Sequence, residues 1–313
     1  MKISIIIPNY NGEELLKENF PKVITSISHG SFQVEEVIIV DDYSNDNSKE
    51  VIKTFIDQYK DRIRIFFIEN EKNLGFSSSV NKGVDNATGD FVVLLNTDVV
   101  PENEFLSKAL RHFGQKDVFA VGCLDKSVES GKVVFRGRGI GKWERGFLVH
   151  SRGEINKTNT LWVSGGSGIF RRSIWEKLGG FSEVYNPFYW EDIDLSYKAL
   201  KSGYRIIFEP QSVVVHKHEK GAIKIKYSTF WVRVISYRNQ ILFVWLNITD
   251  LNLIISHVVW MPYYFLRSLV KGDITFYVGF CYVLIKLSHV VLIRNRNKKT
   301  FLKNDQDVID MVK

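Results

Sequence analysis

The sequence predicts an α/β fold: a mostly parallel central sheet with helices on both faces, followed by a hydrophobic helical segment. Three observations predict it. Over residues 1–100, short β-branched runs alternate with stretches of helical period. Polar residues gather directly after those runs, at the carboxyl ends of the inferred strands. From residue 223 the composition shifts to long apolar blocks with few internal charges.

Residues 3–7 are a β-branched strand, closed by the turn Pro8-Asn9-Tyr10-Asn11-Gly12. Residues 13–28 read as a helix whose apolar side is Leu15, Leu16, Val23, Ile24 and Ile27. A second strand over 36–40 runs into Asp41-Asp42-Tyr43-Ser44. Asn45-Asp46-Asn47-Ser48 then supplies a turn and a cap for a helix over 49–59. Residues 63–68 form a third strand, and Asn73-Leu74-Gly75-Phe76 opens a helix of small residues that reaches Ala87. Phe91-Val92-Val93-Leu94-Leu95 is a buried strand that runs into Asn96-Thr97-Asp98, and Pro101 closes it. A carboxylate in that position is where open α/β sheets place ligand chemistry. Parallel strands share one carboxyl edge, so Asn9-Tyr10-Asn11, Asp41-Asp42 and Asn96-Thr97-Asp98 are expected to converge.

The second half continues with a helix over 102–112 and a strand over 118–122. Residues 132–150, rich in glycine and arginine, read as a hairpin or a basic loop. Two short apolar pieces then flank Ser164-Gly165-Gly166-Ser167-Gly168, where glycine lets backbone approach a ligand closely. A helix over 172–178 stops at Gly179-Gly180. Phe188-Tyr189-Trp190 precedes Glu191, Asp192 and Asp194, just ahead of a helix over 195–202. One acid would satisfy a helix N-terminus, and this cluster exceeds that need. The aromatic wall suits sugar rings, so a functional role is expected for the cluster beyond capping. Strands over 205–209 and 213–215 lead to His216-Lys217-His218.

The net charge of +7 on 313 residues points to an anionic partner. No nucleic-acid recognition motif accompanies it, and the basic residues lie largely near the apolar tail, so nucleic acid is not expected. Cys123 and Cys281 are far apart and form no CxxC pair, which argues against a disulfide framework or zinc site and for a reducing compartment. The first residues meet Pro8 too early for a secretory h-region, so the cytoplasm is expected. Apolar blocks over 251–266 and 274–293 approach the ~20 residues that span a bilayer. Pro262, His257, Lys286 and His289 interrupt them, Arg267 and Lys271 separate them, and a basic run over 294–299 follows. Helices lying on the inner face of the cell membrane fit better than a hairpin through it, whose basic turn would face outward. A buried helical core or a homodimer surface is the third reading. The expected division is a catalytic domain over 1–222, split near 100 into nucleotide and acceptor halves, an apolar region over 223–300 and a tail over 301–313.

Ile5-Ile6-Ile7-Pro8-Asn9-Tyr10-Asn11, Val40-Asp41-Asp42-Tyr43-Ser44, Asn73-Leu74-Gly75-Phe76, Asn81-Lys82-Gly83 and Leu94-Leu95-Asn96-Thr97-Asp98 stand in the order and spacing of family 2 glycosyltransferases. From about residue 3 to 218 the chain resembles that family, and within it the bacterial and archaeal rhamnosyltransferase-like members. The resemblance implies the GT-A fold, with a Rossmann-like sheet. It implies inverting transfer of a sugar from a nucleoside-diphosphate sugar, UDP- or dTDP-linked, to a hydroxyl of a lipid-linked or glycan acceptor.

Residue by residue, it places Asp41 and Asp42 on base and ribose, with Pro8, Tyr10, Asn11, Asn73, Gly75, Asn81, Asn96 and Thr97 on the donor side. Asp98 matches the metal-binding member of the DxD motif, whose first position here is Asn96. A hard cation, Mg²⁺ or Mn²⁺, can be shared by one carboxylate, phosphate oxygens and water. Glu191-Asp192-Ile193-Asp194-Leu195 matches the acceptor motif, with Asp192 as catalytic base. Gly165, Gly166, Ser167, Trp190 and Glu191 carry over as lining of the sugar and acceptor pocket. His216, or His218 in its place, would ligate the metal or contact the diphosphate. Two other readings stand beside this one: a nucleotidyltransferase that makes the activated sugar, and a non-catalytic module for a sugar nucleotide or a membrane. The chain lacks the Gly-rich, Lys- and Arg-containing loop of the first, and its Asp98 and Asp192 argue against the second.

Overall fold

In the computed structural model, which describes residues 1–28, 32–129, 132–216 and 227–312, the β-branched runs become a nine-stranded sheet. Its first half is parallel: β1 (Lys2–Asn9), β2 (Gln33–Asp41), β3 (Arg64–Glu69) and β4 (Phe91–Leu94), in the order β3-β2-β1-β4. The chain winds outward from β1 to β3 and returns to β4 on the other side of β1. The carboxyl ends of β1 and β4 therefore flank a topological switch point, where such sheets bind ligands.

Alternate residues of each strand face opposite sides of the sheet. Ile3, Ile5, Ile7, Val37 and Ile39 pack with Leu16 and Phe20 of α1 (Glu13–Ile27) and Ile52 and Phe55 of α2 (Ser48–Tyr59). Phe20 and Phe55 stack with ring centroids 4.7 Å apart. On the other side, Ile6, Ile38, Val40, Val92 and Leu94 meet Val80 and Val84 of α3 (Phe76–Asp85). Strands buried on both faces have no polar side to display, which is why they read as continuous apolar runs.

Beyond β4 the sheet is mixed. β5 (Val99–Pro101) leads through α4 (Phe105–Leu110) to β6 (Val118–Glu129) and β7 (Lys132–Arg136). The glycine- and arginine-rich stretch forms β7 and a separate hairpin of β8 (Gly139–Glu144) and β9 (Phe147–Arg152). β10 (Ile169–Arg171) inserts antiparallel between β4 and β6. After α5 (Arg172–Leu178) and α6 (Glu191–Lys201), β11 (Arg205–His216) pairs parallel with β6 and antiparallel with β5. α6 starts at Glu191 rather than 195, so all three acids belong to its first turn.

The compositional shift at 223 does not coincide with a packing boundary. In α7 (Thr229–Asn247), Ile241, Leu242, Phe243 and Leu246 are buried in the same core as β4 and α6. Nor is the end of the chain loose. Asp305, at the start of α11 (Asp305–Asp310), is fully buried and accepts hydrogen bonds from Tyr197 Oη (2.8 Å), Lys201 Nζ (2.7 Å) and the Thr249 and Asp250 backbone N–H groups (2.6 and 2.8 Å). Between these anchors lie α8 (Leu251–Val270), α9 (Ile274–Ile285) and α10 (Leu287–Lys298). α8 is the one described helix long and apolar enough to cross a membrane, and α9 and α10 meet at a 68° bend. Val258, Val259, Leu266, Leu269 and Val270 of α8 are exposed.

Burial opposes ionisation of Asp305, but the Lys201 charge and the converging donors outweigh it and hold the carboxyl below its usual range. At Lys201 burial wins and lowers the ammonium instead. The Asp305 side carries the pair, because more donors converge there. Its stabilisation is present above the ordinary carboxylate pKa and is lost as pH falls through the lower folded value. Asp305→Ala is expected to cost roughly 3–5 kcal/mol in urea unfolding at pH 7, since it strands Lys201 in the interior. Variant and wild type are expected to converge in stability as the pH drops below 4.

Candidate active site

The end of β1 is tied to the end of β2. Asn9 donates its side-chain amide to Asp41 Oδ1 at 2.7 Å, and Asp41 also accepts from the Ser44 backbone N–H (2.9 Å) and hydroxyl (2.6 Å). Asp42 points into another loop. It accepts from the backbone N–H groups of Leu74 (2.7 Å) and Gly75 (2.8 Å) and from Asn70 Nδ2 (2.9 Å), while Asn73 donates to its carbonyl at 3.0 Å. Separate donor sets offset the repulsion between adjacent carboxylates. Pro8 sits within β1 opposite Val40, Tyr10 is half-buried at its end, and Asn11 accepts from the Asn45 N–H at 2.8 Å.

Gly75 has φ +92°, and a Cβ there would lie 2.9 Å from the Asn186 side chain. Glycine thus lets the start of α3 abut the chain ahead of α6. Asn186 caps this contact, accepting from the Ser77 N–H (3.1 Å) and donating to Ser78 Oγ (2.7 Å). Asn81 has both amide atoms committed to the Phe181 backbone, at 2.8 and 3.0 Å. It clamps α3 to the segment after α5.

At the end of β4 the Asn96 N–H donates to the Gly166 carbonyl at 3.0 Å. A Cβ on Gly166 would lie 2.7 Å from Asn96 Nδ2, so the glycine turn rests directly on the strand end. Asn96 Oδ1 is buried without a hydrogen-bond partner among the described residues. The Thr97 carbonyl accepts from Asn19 Nδ2 at 2.8 Å.

Asp98 is nearly buried, with Oδ2 3.3 Å from His216 Nε2, and His216 Nδ1 is 2.8 Å from Asp125 Oδ2. Register explains the meeting: β11 sets His216 opposite Val99 in β5 and opposite Ser127 in β6. Burial disfavours the imidazolium, but hydrogen bonds and charge from Asp125 and Asp98 outweigh it and push its pKa up to about 9. A cationic ring against Asp98 marks a position fit for positive charge. Carboxylate oxygen and imidazole nitrogen are donors that Mg²⁺ or Mn²⁺ accepts once that proton leaves. Among the described residues no group of three or more such ligands forms a complete cage. The remaining positions would fall to phosphate oxygens and water. His218 lies outside the described residues.

The acceptor side is built on strain. Tyr189 and Trp190 have φ +70° and +78°, left-handed values that non-glycine residues seldom adopt. α7 holds them: Asn239 Nδ2 donates to the carbonyls of Phe188 and Tyr189, each at 2.8 Å, and Arg238 Nη2 to those of Tyr185 (2.8 Å) and Asn186 (2.7 Å). Such strain persists where surrounding structure over-determines it, commonly at functional sites.

This turn delivers Asp192 half-buried at the start of α6, with Oδ2 accepting from the Gly165 N–H at 3.3 Å and Oδ1 from its neighbour Ile193 at 2.8 Å. Burial raises the Asp192 carboxyl above its ordinary value despite those donors. Glu191 is more deeply buried, with Oε2 unpartnered among the described residues, and burial plus the Asp192 charge push it up to about 8. The environments separate the pair, so Asp192 is the acid that ionises first.

Two expected roles change. Trp190 is buried between His150 and Phe243, at ring distances of 5.2 and 5.0 Å, and offers no open face; the exposed aromatic beside Asp192 is Tyr189. Asp194 is structural, bound by Tyr185 Oη (2.9 Å), Asn247 Nδ2 (2.6 Å) and Lys198 Nζ (3.1 Å). Gly165 and Gly166 line the site through their backbone, while Ser167 is buried behind them. Sequence reasoning missed Asp125, Asn186 and Asn239, which carry no local signal because their partners lie far away in the chain.

The switch point, with a glycine turn bonded to the Asn96 strand end on one side and to Asp192 on the other, belongs to a fold shared by solved glycosyltransferases of GT-A type. Staphylococcus aureus TarS 1-349 in complex with UDP-GlcNAc aligns over 99% of this chain and 91% of its own, with a TM-score of 0.60 at 15% identity. The mannosyltransferase PcManGT from Pyrobaculum calidifontis, in complex with GDP-Man and Mn²⁺, aligns over 99% and 83%, with a TM-score of 0.57 at 17% identity. The chain belongs to glycosyl transferase family 2, whose sequence pattern matches residues 4–179, and it is an enzyme of that family. It is 35% identical over 193 residues to a Campylobacter jejuni GalNAc(5)-diNAcBac-PP-undecaprenol beta-1,3-glucosyltransferase, covering 59% of this chain and 56% of the relative. The chain thus spans little more than half the length of that relative. The O-antigen chain rhamnosyltransferase RfbN of Salmonella typhimurium is 24% identical over 223 residues, 70% of this chain and 67% of its own.

Between its ordinary value of 4.5 and about 8, folded Glu191 keeps a proton that the unfolded chain has released. Stability therefore falls as pH rises through that window. Glu191→Gln is expected to raise Tm above wild type at pH 8 and to leave it close to wild type at pH 5. Parallel Tm–pH curves for the two proteins would refute a neutral Glu191.

Proposed function

We propose that this enzyme transfers a sugar, with inversion, from a pyrimidine nucleoside-diphosphate sugar to a hydroxyl of a lipid-linked or glycan acceptor. One observation carries the reading: adjacent glycines hold both ends of the chemistry. The Gly166 carbonyl grips Asn96, two residues before Asp98, and the Gly165 N–H reaches Asp192. The donor diphosphate at Asp98 and the acceptor hydroxyl at Asp192 would meet across that turn.

The nucleotide lies over the ends of β1 and β2. Asp41 and Asp42, both buried, fix the loops on which base and ribose would rest. Asp98 and His216 would hold a divalent cation, which would supply Lewis-acid neutralisation of the leaving diphosphate. Asp192 accepts the acceptor hydroxyl proton as that oxygen bonds to the anomeric carbon, and the bond to the diphosphate oxygen breaks on the opposite face. Glu191, neutral at pH 7, adds no competing negative charge. The GDP-Man and Mn²⁺ of PcManGT support a nucleotide-sugar donor and a divalent cation, the UDP-GlcNAc of TarS supports a pyrimidine donor, and the undecaprenol in the Campylobacter relative's name supports a lipid-linked acceptor.

The test is a donor screen that identifies the released nucleotide. Wild type is expected to release a nucleoside diphosphate only when donor and acceptor are both present. Asp192→Asn is expected to lower kcat by about 10²–10⁴ with donor binding retained. Pyrophosphate release would restore the nucleotidyltransferase reading, and undiminished turnover by the variant would remove Asp192 as base.

The exposed apolar face of α8, with Arg145 over Trp260 and Tyr263 at 5.7 and 5.9 Å and with Arg267 and Lys271 at its end, suits an anionic membrane surface on the cytoplasmic side. Wild type is expected to sediment with vesicles containing anionic lipid, and a Val259→Glu/Leu266→Glu variant to stay in the supernatant while folding normally. Wild type remaining in the supernatant would reject membrane association.

A further inference from the structure

We infer that Asp125 is a positioning residue for the metal site, holding His216 with its Nε2 turned toward Asp98. The inference rests on the metal reading above and goes beyond it in naming what orients the histidine. Asp125 Oδ2 lies 2.8 Å from His216 Nδ1, on the far side of the ring from Asp98. A ring that donates its Nδ1–H to a carboxylate has one tautomer once a cation takes the other nitrogen, with the lone pair on Nε2. The same hydrogen bond fixes the ring's rotation and strengthens its donor nitrogen.

Asp125 is itself held. The buried Ser127 hydroxyl donates to its Oδ1 at 2.6 Å, and Arg136 Nη1 donates to Ser127 Oγ at 3.2 Å. These residues sit on three adjacent strands in fixed register: Asp125 opposite Val214 of β11 and Arg136 of β7, and Ser127 opposite His216. Sheet pairing, not a loop, therefore sets the direction of the histidine. Nothing in a search for metal ligands at strand ends would select Asp125, because it lies inside β6 and points at the histidine rather than the cation.

The test titrates Mn²⁺ alone into wild type, Asp125→Ala, Asp125→Asn, Ser127→Ala and His216→Ala, reading free Mn²⁺ by its EPR signal. Thermal melts without metal check folding. Asp125→Ala is expected to weaken Mn²⁺ binding about 10–100-fold. Asp125→Asn, which keeps an acceptor for the Nδ1–H, should lose less, and Ser127→Ala should show a smaller loss in the same direction. Wild-type affinity in Asp125→Ala, with loss in His216→Ala, overturns the positioning role and leaves the metal reading intact. Equal affinity of His216→Ala and wild type, or no binding by wild type, sinks both. If Asp125→Ala does not fold, wild-type affinity in both Asp125→Asn and Ser127→Ala overturns the inference.

Discussion

The hydrogen bond from the Asn96 N–H to the Gly166 carbonyl joins the two halves of the molecule at the candidate site. Two residues on, Leu94 donates to Gly168, so the glycine turn continues the pairing of β10 past the end of β4. A side chain at 166 would strike Asn96. The absence of a Cβ there keeps the turn against the strand and leaves the adjacent N–H of Gly165 facing Asp192. The Asn96 strand end and Asp192 are thus joined by one short piece of backbone, whose geometry tolerates little variation.

Around that piece the enzyme spends buried polar groups on holding shape. Asn239 and Arg238 of α7 bind the carbonyls of the Tyr185–Tyr189 stretch, Asn247 binds Asp194, and Asp305 closes on Lys201 and Tyr197. Hydrogen-bond networks in a low-dielectric interior hold their members rigidly. Here they keep Tyr189 and Trp190 in left-handed conformations that sequence preference alone would reject. The result is a half-buried carboxylate, Asp192, at the start of a helix. α7 thus braces the turn that carries Asp192, whatever the outer face of the later helices meets.

Charge is distributed with the same logic. Glu191 and Asp192 are neighbours in sequence, but one is sealed and the other half-open, and that difference separates their protonation. His216 carries the opposite balance: two carboxylates overcome its burial and keep a cation beside Asp98. Each shift is set by depth and by the groups that face the side chain.

The sequence by itself determined the sheet half over 1–100, because its signals are local: β-branched runs, turn residues and caps act within a few positions. It also placed Asn9, Asp42, Asp98 and Asp192 at element ends, since parallel connections bring such ends to one edge. Tertiary structure decided the rest. Burial raises the Asp192 carboxyl although it stands at a helix start. Trp190 is a core residue although it stands in an aromatic motif, because His150 and Phe243 close over it. Asn81 serves the Phe181 backbone, and α7 belongs to the core although composition groups it with the outer helices. Composition cannot distinguish an apolar face turned to protein from one turned outward; only the packing of α7 against α6, and the exposure of α8, separates them.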